Sequence, residues 1–208
     1  MMILIYVLIA AMILYSVVMI KKPILRISIT SIGLLLLVGA VGLTTLNFNQ
    51  HWGMKEVTTT QTRTIYSAAP AQSPVKMVIK KELGTKADNY VLVYRDHIND
   101  KEAKAHFIPD KDDMNKLVNS SATYRVADVD EATVTTKVTR WRFDSDVAKW
   151  LFSFAGMDGS LVRQSSVVTV PKEGWTVMTQ EEAKAAAEKA AQMQQQMMAQ
   201  QQAQMAGQ

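Results

Sequence analysis

MMILIYVLIAAMILYSVVMI (residues 1–20), KKPILR (21–26) and ISITSIGLLLLVGAVGLTTL (27–46) run head to tail, and their reading decides the fold. Neither long run contains a charged side chain. A helix of about 20 apolar residues rises roughly 30 Å, the thickness of a bilayer's hydrocarbon core. Backbone groups in lipid must be satisfied within the segment, so helices over about 1–20 and 27–46 are expected. A core helix of a soluble protein is the competing reading, and two adjacent uncharged runs of this length argue against it. A cleaved signal peptide fits poorly as well: no basic residue precedes the first run, and no Ala-x-Ala site follows it.

Lys21, Lys22 and Arg26 are the only Lys or Arg residues before Lys55. Short basic loops stay on the cytoplasmic side, which makes these three cations the topology determinants. They place loop 21–26 inside, and the N-terminus and everything after about residue 47 outside. Pro23 helps to break the first helix. Tyr6 and Trp52 mark the outer interface and Tyr15 the inner one, as aromatic belts do. Gly39, Ala40 and Gly42 permit the close approach of another helix. The expected location is the cell membrane, crossed twice, with an extracytoplasmic C-terminal domain. The expected partners are the lipid bilayer and either another membrane protein or a second copy of the chain.

Composition narrows the classes. Setting the three loop cations aside leaves 20 of the 23 Lys and Arg residues against 19 Asp and Glu. So balanced a remainder offers no electrostatic footprint for a polyanion, and nucleic acid is not an expected partner. With no cysteine, the chain has no disulfide, thiol nucleophile or thiolate metal site. Its outer part must be held by a hydrophobic core alone, for which residues 57–178 are long enough.

Within 57–178, VTTTQTRTIY (57–66) has the Thr-rich, β-branched composition of a strand. In VKMVIKKEL, Val75, Met77, Ile79 and Leu83 alternate with Lys76, Lys80 and Glu82, the pattern of a half-buried strand. NYVLVYRD, ATYRVAD, ATVTTKVTRWRF and SLVRQSSVVTV add four strands between Gly, Pro, Asp and Asn turn signals. DSDVAKWLFSFAG reads as a helix capped by Asp144 or Ser145 and ended by Gly156. Its apolar stripe of Val147, Trp150, Leu151 and Phe154 is expected to face the sheet. Phe152 lies off that stripe and is the candidate partner contact. The expectation is a mostly antiparallel α+β domain with one or two packed helices.

Recognisable catalytic patterns are missing. The three histidines, His51, His97 and His106, sit in no H-E-x-x-H, and no G-x-S-x-G, Walker loop or G-x-G-x-x-G occurs. His97, His106 and Asp110, among neighbouring aspartates, form the one cluster able to supply nitrogen and carboxylate ligands to a divalent cation. DKDD (110–113) lacks the Gly and distal Glu of an EF-hand, so a solvated loop competes with that reading. TRWRF puts Arg140 and Arg142 on one strand face and Trp141 on the other, a solvated face opposite a packed one rather than an anion site. No cofactor is expected. In the tail, 179–208, Thr179 and Glu182 form a capping box. Ala183, Ala186, Ala190, Met193 and Met197 follow at helical spacing. From Gln192 onward nine of 17 residues are Gln, so a low-complexity, frayed end is expected.

GMKEVTTTQTRTIYSA after a two-helix hairpin, followed by TRWRF, WLFSFAG and VPKEGWTV, resembles an uncharacterised family of small membrane proteins of lactobacilli and related Gram-positive bacteria, catalogued as a domain of unknown function. The resemblance covers most of residues 1–178. It implies a Gram-positive cell envelope and ranks a transporter first among membrane partners, and it carries no catalytic roles. Taken with the residues, it leaves a non-enzymatic accessory or interaction protein as the leading expectation. An extracytoplasmic binding or sensing module for a wall component or divalent cation is the alternative, and an envelope enzyme ranks last.

Overall fold

The computed structural model describes residues 1–70, 73, 75–84 and 89–206, with the side chains of 190, 191, 194 and 197–206 left aside. Packing divides the chain into two units, Met1–Thr59 with Thr139–Val162, and Thr60–Val138 with Arg163–Gln208.

The first unit opens with helices α1 (Met2–Met19) and α2 (Pro23–Gln50), both long and apolar enough to cross a membrane. The turn is shorter than KKPILR. Pro23 occupies the first turn of α2 rather than only ending α1, and Arg26 already lies within α2. Proline is at home there because the first helical N–H groups have no intrahelical acceptor and its fixed φ suits the helix. At the other end α2 overruns the expected Leu46 and stops at His51, which takes a left-handed φ of 55° and returns its N–H to the Leu46 carbonyl.

The two helices meet along a seam of small and hydroxylated residues. Met2, Ile9 and Ser16 are buried on α1, and Gly33, Ala40 and Asn47 on α2, each set at seven-residue intervals. That spacing keeps a seam facing its partner along helices packed nearly antiparallel. A Cβ on Gly33 would lie 2.6 Å from Ile13 Cγ1, so only glycine admits this approach. Ser16 Oγ donates to the Arg26 carbonyl and pairs with Thr30 Oγ1, both at 3.1 Å. The Tyr6 hydroxyl reaches the Ala40 carbonyl at 3.0 Å and Thr44 Oγ1 at 2.7 Å. Of the three expected small residues, Ala40 is in this seam, whereas a Cβ on Gly39 or Gly42 would meet nothing within 4 Å.

The remaining elements are strands β1 (Met54–Thr64), β2 (Lys76–Glu82), β3 (Tyr90–Tyr94), β4 (Lys104–His106), β5 (Ser120–Ala127), β6 (Thr133–Phe143), β7 (Leu161–Pro171) and β8 (Trp175–Thr179), with helices α3 (Met114–Asn119), α4 (Asp146–Phe152) and α5 (Gln180–Ala206). They form two four-stranded sheets, ordered β1-β6-β7-β5 and β4-β3-β2-β8. Pairing is mostly antiparallel. Beyond β2 with β3 and β3 with β4, β6 runs against β1, since Thr58 faces Thr139 while Thr62 faces Thr135. Two pairs are parallel, β2 with β8 and β5 with β7.

The core of the second unit draws on both sheets through Ile65, Val78, Leu92, Tyr94, Val134, Val168 and Val170. This reverses the reading of β2: Val78 is the fully buried residue, and Met77 and Ile79 are only half-buried. The Lys76–Val78–Lys80 face can turn inward because its lysines lie along aromatic rings. Lys76 Nζ sits 5.9 Å from the Trp175 ring, and Lys80 Nζ reaches the Tyr124 hydroxyl at 2.7 Å, a bond that raises its pKa. Short strand β8 and helix α3 were not foreseen. The capping box of α5 forms as read, with Thr179 N–H to Glu182 Oε2 at 2.8 Å and Glu182 N–H to Thr179 Oγ1 at 3.2 Å. Ala190 and Met197 of the proposed tail stripe lie outside the described side chains.

Candidate functional site

The first unit brings its chemistry together where α4 meets the open end of the hairpin. Ser145 caps α4, its Oγ accepting from the Ala148 N–H at 3.2 Å, and Gly156 ends the turn that follows with a φ of 66°. Both features are as the sequence has them. The facing of the helix is not. Phe152, expected to be free for a partner, is fully buried, packing with Ala148 in one cluster with Met2 and Ile9. Val147, Trp150 and Phe154, expected against a sheet, are 67%, 55% and 41% exposed. Periodicity groups residues on one face of a helix but does not say what that face meets.

Several contacts fix α4 there. The Met1 nitrogen donates to the Trp150 carbonyl at 3.0 Å and to the Leu151 carbonyl at 3.3 Å, satisfying acceptors at the end of a short helix. The Trp52 ring meets Phe152 edge-on at 6.3 Å. Gly53, with a φ of 77°, passes so close that a Cβ there would lie 3.0 Å from that of Ala148. His51 stacks flat on Trp141 at 4.0 Å. Asn47 is fully buried; its Nδ2 donates to the Trp52 carbonyl at 2.8 Å, and its Oδ1 has no protein partner. The flanking arginines are engaged: Arg140 Nη1 donates to the Gly159 carbonyl at 2.8 Å, and Arg142 pairs with Asp158 at 3.3 Å. Sequence reasoning missed Gly33, Asn47 and the His51–Trp141 stack. The seven-residue spacing of Gly33, Ala40 and Asn47 was the available signal.

The candidate cation ligands go separate ways. His97 Nδ1 lies 3.7 Å from Asp100 Oδ2, His106 Nε2 lies 3.6 Å from Asp96 Oδ2, and Asp110 lies 3.5 Å from Lys116 Nζ. Among the described residues no three His, Asp or Glu side chains gather. The backbone N–H of His97 holds Asp100 below the usual carboxylate range, and that of Lys116 does the same for Asp113. These are local turn and cap bonds. His106 instead stacks on Tyr94 at 3.9 Å. Burial foremost, then the Asp96 charge, pushes the Tyr94 hydroxyl up to about 12, and that hydroxyl has no protein partner.

A hairpin of two membrane-length helices joined to a mostly antiparallel β domain defines the class. Residues 21–186 match DUF4811, a domain of unknown function, and the chain belongs to that family. The match takes in α2, all the strands and the start of α5, reaching further toward the C-terminus than the resemblance did and leaving α1 outside. No curated protein and no solved structure matches the chain.

Proposed function

We propose that the chain is a membrane-anchored, non-enzymatic accessory protein. Its hairpin binds another membrane protein, with a transporter first among the candidates, and holds the β-rich part on the extracytoplasmic side of a Gram-positive cell envelope. The observation that carries this reading is the outward surface of α2 at Gly39 and Gly42. The hairpin closes through Gly33, Ala40 and Asn47, so these two glycines serve no contact with α1. In lipid, where no hydrophobic force draws helices together, small residues let backbones approach and hold by packing. The separate engagement of His97, His106 and Asp110 weighs against the cation-sensing alternative.

Purification from native membranes in mild detergent, followed by mass spectrometry, tests it. One stoichiometric membrane protein is expected with the unaltered chain, and its loss with Gly39→Leu plus Gly42→Leu, while the exposed-strand change Thr60→Ala leaves it in place. A chain that emerges alone after crosslinking at native expression contradicts the reading.

A further inference from the structure

We propose that the exposed stripe of α4 and the turn after it, Val147, Trp150 and Phe154, is a lipid-contacting wedge seated in the headgroup–acyl boundary of the bilayer. The inference rests on the hairpin spanning that bilayer. Depth is the first argument. Trp150 and Leu151 are tied through their carbonyls to the Met1 nitrogen, and Phe152 packs with Met2, so α4 lies level with the first turn of α1. A membrane helix begins at the water–lipid interface, so the outward side of α4 lies there too.

Chemistry is the second argument. Val147, Trp150 and Phe154 recur at helical spacing, and Phe48 and Trp52, at the end of α2, are also exposed. Asp146, Lys149 and Ser153, likewise exposed, supply the polar side. A helix with an apolar stripe and a charged side lies in the plane of the interface, its apolar face sunk into the headgroup boundary. Tryptophan favours that depth because its ring is apolar and its N–H can still be hydrated. Burial of Phe152 and Ala148 holds the stripe outward, so the helix uses one face on the hairpin and the other on lipid. A protein partner or a second copy is the competing occupant. Lipid is favoured by continuity: the stripe prolongs the exposed apolar surface of α1 and α2.

The cysteine-free chain makes the test direct. Single-cysteine variants Val147→Cys, Lys149→Cys and Leu35→Cys of the full chain carry a nitroxide in phosphatidylcholine–phosphatidylglycerol vesicles. Collision rates with oxygen, which partitions into lipid, and with a water-soluble nickel chelate are then compared by electron paramagnetic resonance. The oxygen-to-nickel ratio at residue 147 should exceed that at residue 149 several-fold and fall below that at residue 35. If residue 35 reads as lipid and residue 147 as water, the wedge is overturned and the spanning hairpin stands. If residue 35 also reads as water, the hairpin does not span and the wedge falls with it. A residue 147 shielded from both reagents, with dipolar broadening between labelled copies, overturns lipid in favour of self-association. Should labelling unfold α4, Trp150 read in a Trp52→Phe, Trp141→Phe, Trp175→Phe chain gives a second readout. Quenching by lipids brominated near the headgroup supports the wedge, and quenching by iodide alone overturns it.

Discussion

The seam between α1 and α2 and the core of the second unit solve the same packing problem with opposite materials. The seam sets Gly33, Ala40, Ser16 and Asn47 beside Met2 and Ile9, and most of the larger Leu, Ile and Val residues point outward along both helices. The core is valine, leucine, isoleucine and tyrosine, and the exposed stretch of β1 in that unit, Thr60–Thr64, is threonine, glutamine and arginine. Water drives apolar side chains inward at about 25 cal/mol per Å² of buried area. Lipid exerts no such drive, so helices there associate through close backbone approach and interhelical hydrogen bonds. The contrast supports the proposal that the hairpin lies in lipid and the second unit in water.

If that is right, truncation should hurt most where water supplies the driving force. Leu92→Ala, in the middle of β3, is expected to cost about 2–5 kcal/mol, read from denaturant unfolding of the full chain in detergent. A cost under 1 kcal/mol would mean that the second core is not a packed interior. Enlargement, by contrast, should hurt most in the seam. Gly33→Leu drives a side chain into Ile13 and should cost about 1–3 kcal/mol, read from loss of helix-pair association in detergent. Gly39→Leu, on the open side, should leave that association unchanged, so equal losses would erase the distinction between the two faces of α2.

The alkaline limb sharpens the picture of the second core. Tyr94 is buried, and its pKa is raised from the ordinary 10 to about 12. The folded chain therefore resists ionisation that the unfolded chain permits. This contribution is fully present below pH 10 and is lost as pH climbs toward about 12. Absorbance at alkaline pH should show one tyrosine ionising late, and Tyr94→Phe should remove that step. Near neutral pH the same substitution should be neutral or slightly stabilising, because it deletes a buried hydroxyl without a protein partner. Ser16→Ala should cost only about 0.6 kcal/mol, the average for a hydrogen bond between membrane helices. A loss above 2 kcal/mol would make the Ser16–Thr30 pair far more than a trim to the seam.

The hairpin was legible because two uncharged runs flanking a basic turn have few physical interpretations. The long strands were legible from β-branched composition, and α4 from Ser145 and Gly156. Beyond the seven-residue spacing of Gly33, Ala40 and Asn47, what escaped depended on contacts distant in sequence. The choice of core face in β2 goes with Trp175 and Tyr124, which lie far along the chain and hold the Lys76 and Lys80 ammonium groups over their rings. Phe152 was assigned outward because a stripe of four apolar residues outvoted it, on the premise that the largest stripe seeks protein. The hairpin reverses that premise by taking up Ala148 and Phe152. His97, His106 and Asp110 looked like one cluster only because they are close in sequence.

The proposed topology puts the helices of the first unit in lipid and the β-rich second unit in water outside the cell. Cysteine accessibility in intact cells tests it most directly, with a membrane-impermeant maleimide applied to Lys172→Cys, Lys21→Cys and Leu35→Cys. Residue 172 should label at once, residue 21 only after the cells are opened, and residue 35 in neither case while the bilayer is intact. Labelling of residue 21 from outside with residue 172 protected would invert the topology. Ready labelling of residue 35 would show that α2 does not cross the membrane.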